Sequence, residues 1–410
     1  MPTTIVSFLG TGQKVASQSA RSEYRKTVYE FHSPDGEPYQ QETSLFGTAL
    51  VRFLRKLDTD IDRWIVLGTS ASLWSELNQI LADPDGVSRE YYDIDELVIR
   101  KQVDEAALRK WEQTLNAEAA PLQLCLRLTG DALSRESQQR IAQALFENIP
   151  RRNDVVFDIS HGYRHQPVIA GFIISLMRWT HAIGKVSFYS GVFEARQGNV
   201  TPVIELSICQ ELLDATDATA ILGTTGNYES VARCLNMDAE LAWFLENTNQ
   251  LGNARTAAQQ LLSQSAGSAD VVGAQLSTLL RERLEWSREA RFADRVRESA
   301  RAALERGDYF RAVVLGYEAI IIRAGQLLYP KADPLNYQTR EDAEQALYDQ
   351  LNGHDRELLH DLRHTRNACA HGTRSDRANP QKILQNPRNF QDLIRQAFDL
   401  FDRLEQLLPP

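Results

Sequence analysis

Hydrophobic residues in the first half of the chain come in short unbroken runs rather than alternating with polar ones. "TIVSFL" (4–9), "RWIVLG" (63–68), "LQLCLRL" (122–128), "DVVFDIS" (154–160) and "KVSFYSG" (185–191) are apolar and rich in β-branched or aromatic residues. Amphipathic helical patterns lie between them, at 44–57, 70–82, 135–148 and 166–182. Strands without a polar face, separated by helices, predict a mainly parallel sheet covered on both sides. "KTVYEFHSPDGEPYQQET" (26–43) predicts a hairpin turning at Asp35–Gly36, and "TPVIELS" (201–207) a last edge strand.

From about Tyr228 onward the strand signal disappears. Helical patterns run at 229–250, 254–265, 270–305, 308–328, 340–351, 354–371 and 388–408. Gly307, Pro330, Gly353, Gly372, Pro380 and Pro387 punctuate them. Residues 214–227, rich in small and turn-forming side chains, read as the junction. The expected organisation is an α/β domain over 1–215, a helical connector or extension over 216–300, and an all-α domain over 301–410.

Composition narrows the function classes. The 410 residues carry a net charge of −10, so any nucleic acid must meet a local basic site rather than a broad basic face. The N-terminal segment lacks the basic and apolar regions of a signal peptide. "PVIAGFIISLM" is too short to span a bilayer. The expectation is a cytoplasmic protein without membrane contact. Cys125, Cys209, Cys234 and Cys369 are far apart and suggest neither a disulfide framework nor a metal site.

In an open parallel sheet, ligands sit beyond the carboxyl ends of the strands. The first strand ends in Gly10-Thr11-Gly12, the second in Gly68-Thr69-Ser70, the fourth in "DISHGYRHQP" (158–167), and the fifth runs out through Gly191. Glycines let the backbone approach a ligand, and Thr11, Thr69, Ser70, Ser160, His161 and Arg164 offer donors to phosphates or base edges. Gly162 completes the turn, and Pro167 suits the first turn of the next helix. A dinucleotide fingerprint would need a third glycine where Val15 stands. The plain structural alternative is a set of tight βα turns with capping residues.

"RHTRNACAHG" (363–372) gathers two arginines, two histidines and an asparagine at the end of a helix whose apolar side carries Leu358, Leu359, Leu362 and Ala368. Asn367 and His371 are four residues apart on one face, Arg363 is one turn earlier, and Arg366 reaches their rim. Histidine moves protons near neutral pH, and arginine stays charged and matches phosphate oxygens. That is the minimum equipment for RNA cleavage by the ribose 2′-OH, with no carboxylate cluster in the segment to hold magnesium. Favourable interaction with the helix dipole explains any one of these residues but not the set.

Arg366-Asn367-x-x-x-His371 resembles the R-polar-x-x-x-H pattern of HEPN ribonucleases, and "DYFRAVVLGYEAIIIRAGQLL" (308–328) resembles their first long helix. "FLGTG" (8–12) and "DISHGYRHQP" resemble the paired motifs of CARF ligand sensors. In order and extent, the chain resembles the CARF–HEPN ribonucleases of type III CRISPR systems. The resemblance implies a Rossmann-like CARF domain followed by an all-α HEPN domain. Catalysis would fall to Arg366, Asn367 and His371, and activator binding to Gly10, Thr11, Gly12, Thr69, Ser70, Ser160, His161, Gly162, Arg164 and Gly191. It further implies a homodimer or higher even oligomer, a single-stranded RNA substrate, no resident metal or cofactor, and a cyclic oligoadenylate activator, tetra-adenylate before hexa-adenylate. Slow cleavage of the ring by the sensor domain stays open. Ser160 stands where the family's sensor motif has threonine, and the hydroxyl is kept. Two other readings are a regulator whose helical half only dimerises, and a Rossmann dinucleotide-binding enzyme.

Overall fold

β1 (Thr3–Leu9) is buried along its whole length, as a strand is only when both faces of its sheet are covered. The structure, a computed structural model, describes residues 1–14, 22–32, 36–81, 83, 88–265 and 270–408. Val15, and Asp35 of the expected hairpin turn, lie outside them. Two compact units divide the chain, Met1–Leu213 and Asp214–Pro410.

In the first unit, β2 (Gln13–Lys14) and β3 (Ser22–Glu23) form a small antiparallel pair. The main sheet adds β4 (Thr27–His32), β5 (Pro38–Thr43), β6 (Ile61–Gly68), β7 (Gln123–Leu128), β8 (Asp154–Asp158), β9 (Val186–Gly191) and β10 (Val200–Glu205). Among the described residues its order is β5-β4-β10-β9-β8-β1-β6-β7. The block from β9 to β7 is parallel. β10 runs antiparallel to β9 and parallel to β4. β10 is therefore an interior strand, not the expected edge, because the β4–β5 hairpin pairs outside it. Thr27 and Thr201 fasten that seam through their hydroxyls, 2.8 Å apart.

Helices α1 (Phe46–Lys56), α2 (Arg89–Arg100), α3 (Glu105–Ala119), α4 (Arg135–Asn148), α5 (His165–Thr180) and the start of α6 (Ser207–Thr225) complete the unit. One sheet face buries Ile5, Leu9, Trp64, Trp74 and Trp111, and the other Val6, Phe8, Ile65, Phe157 and Ile174. Each such side chain contributes roughly 1.5–3 kcal/mol of burial.

The segment expected as a helix at 70–82 forms 3₁₀ turns over Trp74–Ile80 instead, residue 82 lying outside the described set. Its apolar residues Trp74, Leu77 and Ile80 recur every three positions, the spacing that eclipses on a 3₁₀ helix. α2 and α3 are additions to the expected elements. Their starts are marked by caps: Ser88 accepts from the Tyr91 N–H at 3.2 Å and Asp104 from the Ala107 N–H at 2.8 Å. The expected junction at 214–227 is mostly helical, the end of α6.

The second unit is helical among its described residues: α7 (Glu229–Cys234), α8 (Glu240–Asn247), α9 (Leu251–Gln264), α10 (Val271–Arg283), α11 (Phe292–Glu305), α12 (Tyr309–Leu328), α13 (Tyr337–Gln350), α14 (Gly353–His371), α15 (Ala378–Leu384) and α16 (Pro387–Leu407). The patterns at 229–250 and 270–305 each break in two, with 3₁₀ turns at Glu285–Arg288 inside the second. α12 is the hub. Val313, Leu315, Ile320, Ile321 and Ala324 are buried on nearly all its sides, against α11, α13, α14 and α16. α14 buries Leu358, Leu359, Leu362, Thr365 and Ala368, and Gly372 ends it in the left-handed conformation, φ +63°.

Candidate functional site

Each unit carries a cluster of candidate functional side chains. In the first, β1 is the strand at which the connections change direction, with β6 on one side and β8 on the other. The loops after β1 and β8 therefore part to opposite faces, which opens a crevice at the carboxyl ends. A cleft of about 320 Å³ sits there, lined by Gly10, Thr11, Gly12, Ser160, His161, Gly162 and Gly191 among the expected residues.

Sequence reasoning missed Tyr24, Arg25, Tyr29, Ser44, Phe193 and Glu194, which also line it. "EYRKTVY", an aromatic and basic run, and "GVFEA" after Gly191 were the available signals.

Close backbone approach shapes this cleft. A Cβ on Gly10 would stand 3.3 Å from the Gly162 nitrogen and from the Tyr24 hydroxyl. Gly162 has φ +87°, and a Cβ there would meet the Phe8 Cβ at 2.7 Å. The Gly10 N–H donates to Tyr24 Oη at 2.7 Å, and the Gly191 N–H donates to Ser160 Oγ at 2.8 Å.

The carboxylate of Asp158 is fully buried and accepts from the Ser160 N–H at 2.8 Å. Burial pushes its pKa up to about 6, against the lowering effect of the Ser160 bonds. Burial also lowers His161 to about 4, which keeps the imidazole neutral at physiological pH. Its Nε2 is buried and has no hydrogen-bond partner among the described residues.

Three expected residues stand apart from the lining. Thr69 accepts from the Ala71 N–H at 3.1 Å, while its own N–H donates to Ser72 Oγ at 2.9 Å. Ser72 Oγ in turn donates to the Leu9 carbonyl, and the Leu73 N–H to the Gly10 carbonyl. The Thr69–Leu73 turn thus buttresses the glycine loop from behind. Ser70 is exposed beside it, its carbonyl accepting from the Val103 N–H at 3.2 Å. Arg164 is exposed at the start of α5.

In the second unit, the end of α14 brings the other cluster together. Arg366 and Asn367 are half-buried and His371 is exposed. Arg366 Nη1 donates to Asn367 Oδ1 at 2.8 Å and Nη2 to Glu318 Oε1 at 3.2 Å. Its guanidinium lies over the Tyr317 ring, 5.5 Å from the centroid. Arg363 repeats the arrangement one turn earlier, paired with Glu344 at 3.2 Å and 5.9 Å over the Tyr348 ring. Burial, then the Glu344 carboxylate, hold the Tyr317 hydroxyl far above its ordinary pKa. Glu318 and Arg340 were not expected from sequence. The one available sign was a carboxylate set in the apolar run "VVLGYEAIII".

Among the described residues, no group of three or more His, Cys, Asp and Glu is placed to hold a metal ion, and no helix is long and apolar enough to cross a membrane.

No protein-family model matches the chain. The CRISPR-associated protein MJ1674 of Methanocaldococcus jannaschii is 22% identical to it over 264 residues, which make up 60% of this chain and 40% of that protein. The chain thus spans less than half the length of that relative. Among solved structures, Enterococcus italicus Csm6 bound to cyclic hexa-2'-fluoro-hexa-dAMP matches 99% of this chain and 98% of its own at 10% identity, with a TM-score of 0.33.

Proposed function

We propose that this chain is a member of the CARF–HEPN family of type III CRISPR systems, an endoribonuclease whose helical unit cleaves single-stranded RNA when a cyclic oligoadenylate occupies the cleft of its α/β unit; its likeness to a CRISPR-associated protein supports this reading. The observation that carries the reading is the end of α14: a guanidinium fixed beside Asn367, with an exposed imidazole one turn on.

RNA's own ribose supplies the nucleophile. The 2′-oxygen bonds to the adjacent phosphorus, the bond to the 5′-oxygen breaks, and the products are a 2′,3′-cyclic phosphate and a 5′-OH. Arg366 stabilises the charge that builds on the phosphoryl oxygens. His371 moves a proton, either from the attacking 2′-OH or to the departing 5′-oxygen. Two copies of the helix end, facing each other, would supply one histidine for each task.

A pair of chains also suits the cleft. α5 begins directly after the His161–Gly162 loop and exposes Val168, Phe172, Leu176 and Trp179, spaced along one helical stripe. A second copy seated on that stripe would set two clefts side by side on a two-fold axis, which a ring with an even number of AMP units can share. Neutral His161, the glycine backbones and Arg25 match its bases, sugars and phosphates. Moving a resting population from 1:99 to 99:1 needs about 5.5 kcal/mol of preference for the active state.

The test is incubation of the full chain with fluorescent single-stranded RNA and each cyclic oligoadenylate in turn. Cleavage dependent on tetra- or hexa-adenylate is expected. Ring binding without cleavage of any RNA would reduce the helical unit to dimerisation, and no ring binding at all would overturn the account of the cleft.

A further inference from the structure

We infer that Glu318 is a positioning residue for Arg366, held in that task by Arg340. This role rests on the reading of Arg366 as the group that meets RNA phosphate. Glu318 sits on α12 amid buried neighbours, Tyr317, Ala319, Ile320 and Ile321, where packing asks for no carboxylate. Its two oxygens take different partners: Oε1 accepts from Arg366 and Oε2 from Arg340. The Glu318 side chain is only 16% exposed and that of Arg366 32%, so the pair is shielded from water in a way surface ion pairs are not.

Three contacts fix the Arg366 guanidinium. Glu318 holds one nitrogen, Asn367 another, and the Tyr317 ring lies against its face. A planar cation held at two edges and one face cannot rotate about its long side chain, so it is aligned before substrate arrives. Preorganisation of that kind acts on the transition state rather than on binding.

The pairing does not silence the arginine. One carboxylate shared by two guanidiniums leaves a net charge of +1, and the Arg363–Glu344 pair beside it adds none. Arg340 thus keeps the cluster attractive to phosphate while Glu318 keeps Arg366 aimed. Removing Glu318 should cost turnover, whereas removing Arg340 should weaken substrate binding, because Glu318 would then neutralise Arg366 alone.

The test is steady-state cleavage of fluorescent RNA by the full chain under saturating cyclic oligoadenylate. Glu318→Gln should lower kcat by about ten- to a hundredfold, as loss of a charged hydrogen bond does, with KM moving less than about threefold. Glu318→Asp should recover most of the loss, and Arg340→Gln should raise KM instead. In an Arg366→Lys background, Glu318→Gln should cost little more. An unchanged kcat in Glu318→Gln, or an equal loss in the Arg366→Lys background, would overturn the role. So would a loss that Asp cannot rescue and that tracks a lowered thermal midpoint. Cleavage at full rate by Arg366→Ala would instead remove the nuclease reading itself, so the two failures are distinguishable.

Discussion

The Tyr24 ring stacks on the His161 imidazole, with centroids 4.5 Å apart and planes 29° from parallel. Since Tyr24 Oη also accepts the Gly10 N–H, one tyrosine ties the loop after β1 to the loop after β8. Desolvation keeps the partly buried histidine it covers neutral, and makes the fully buried aspartate three residues earlier hard to ionise.

These two groups oppose each other in the pH dependence of stability. Asp158 is raised from 3.8 to about 6, so its contribution is full below 3.8 and is lost as pH rises through 6. His161 is lowered from 6.5 to about 4, so its contribution is full above 6.5 and is lost as pH falls through 4. Each shift corresponds to about 3 kcal/mol at most. Chemical denaturation at a series of pH values should show Asp158→Asn losing stability steadily from pH 6.5 to 4, and His161→Gln gaining it from pH 6 to 4. Two variants that both keep the wild-type profile would show that neither group titrates as described.

His371→Ala should slow activated RNA cleavage by about 10²- to 10⁴-fold, the usual worth of a general acid or base. Cyclic oligoadenylate affinity, read by calorimetry, should not change, because His371 and the cleft belong to different units. Cleavage at the wild-type rate would exclude this histidine from the chemistry.

RNA cleavage should survive EDTA and leave 2′,3′-cyclic phosphate and 5′-OH ends. The carboxylates beside Arg366 and Arg363 are Glu318 and Glu344, and both are engaged by arginines. Analysis of the product ends by mass spectrometry checks this. Activity lost in EDTA and restored by magnesium would call for a different mechanism.

Arg25 lines the cleft, whereas Arg164 stands exposed at the start of α5. A charged hydrogen bond is worth about 1.5–3 kcal/mol, so Arg25→Ala should raise the half-activating ring concentration roughly tenfold or more. Arg164→Ala should do the same if the second copy brings it to the ring. A shift with Arg25→Ala alone would confine the ring to contacts outside the α5 face.

Phe172 is 75% exposed at the middle of the α5 stripe. Phe172→Asp should leave the monomer's thermal midpoint unchanged and convert a dimer to a monomer in sedimentation, with activation lost alongside. A dimer that survives the substitution would put the interface elsewhere.

Much of the fold was legible because its elements declare themselves locally. The apolar runs of β1, β6, β7, β8 and β9 and the punctuated periods of α12, α14 and α16 need no distant partner to be recognised. What stayed hidden depended on partners. The charged helices α2 and α3 are anchored by a few buried residues, such as Ile94, Val98, Leu108 and Trp111, on otherwise polar stretches. Trp74 could be recognised as apolar, but not that its Nε1–H donates to the Thr69 carbonyl.

The sequence by itself determined which loops and which helix end are the candidates for chemistry: the glycines and donors at 10–12 and 160–162, and the Arg366-Asn367-His371 spacing are local arrangements of residue type. Tertiary structure alone decided which of those residues share a site. It turned Thr69 inward as a buttress and brought Tyr24 onto His161 across 137 residues of chain. It also set Glu318 of one helix against Arg366 of another. Pattern along a chain records the faces of elements, but the order of strands and the packing of helices decide which faces meet.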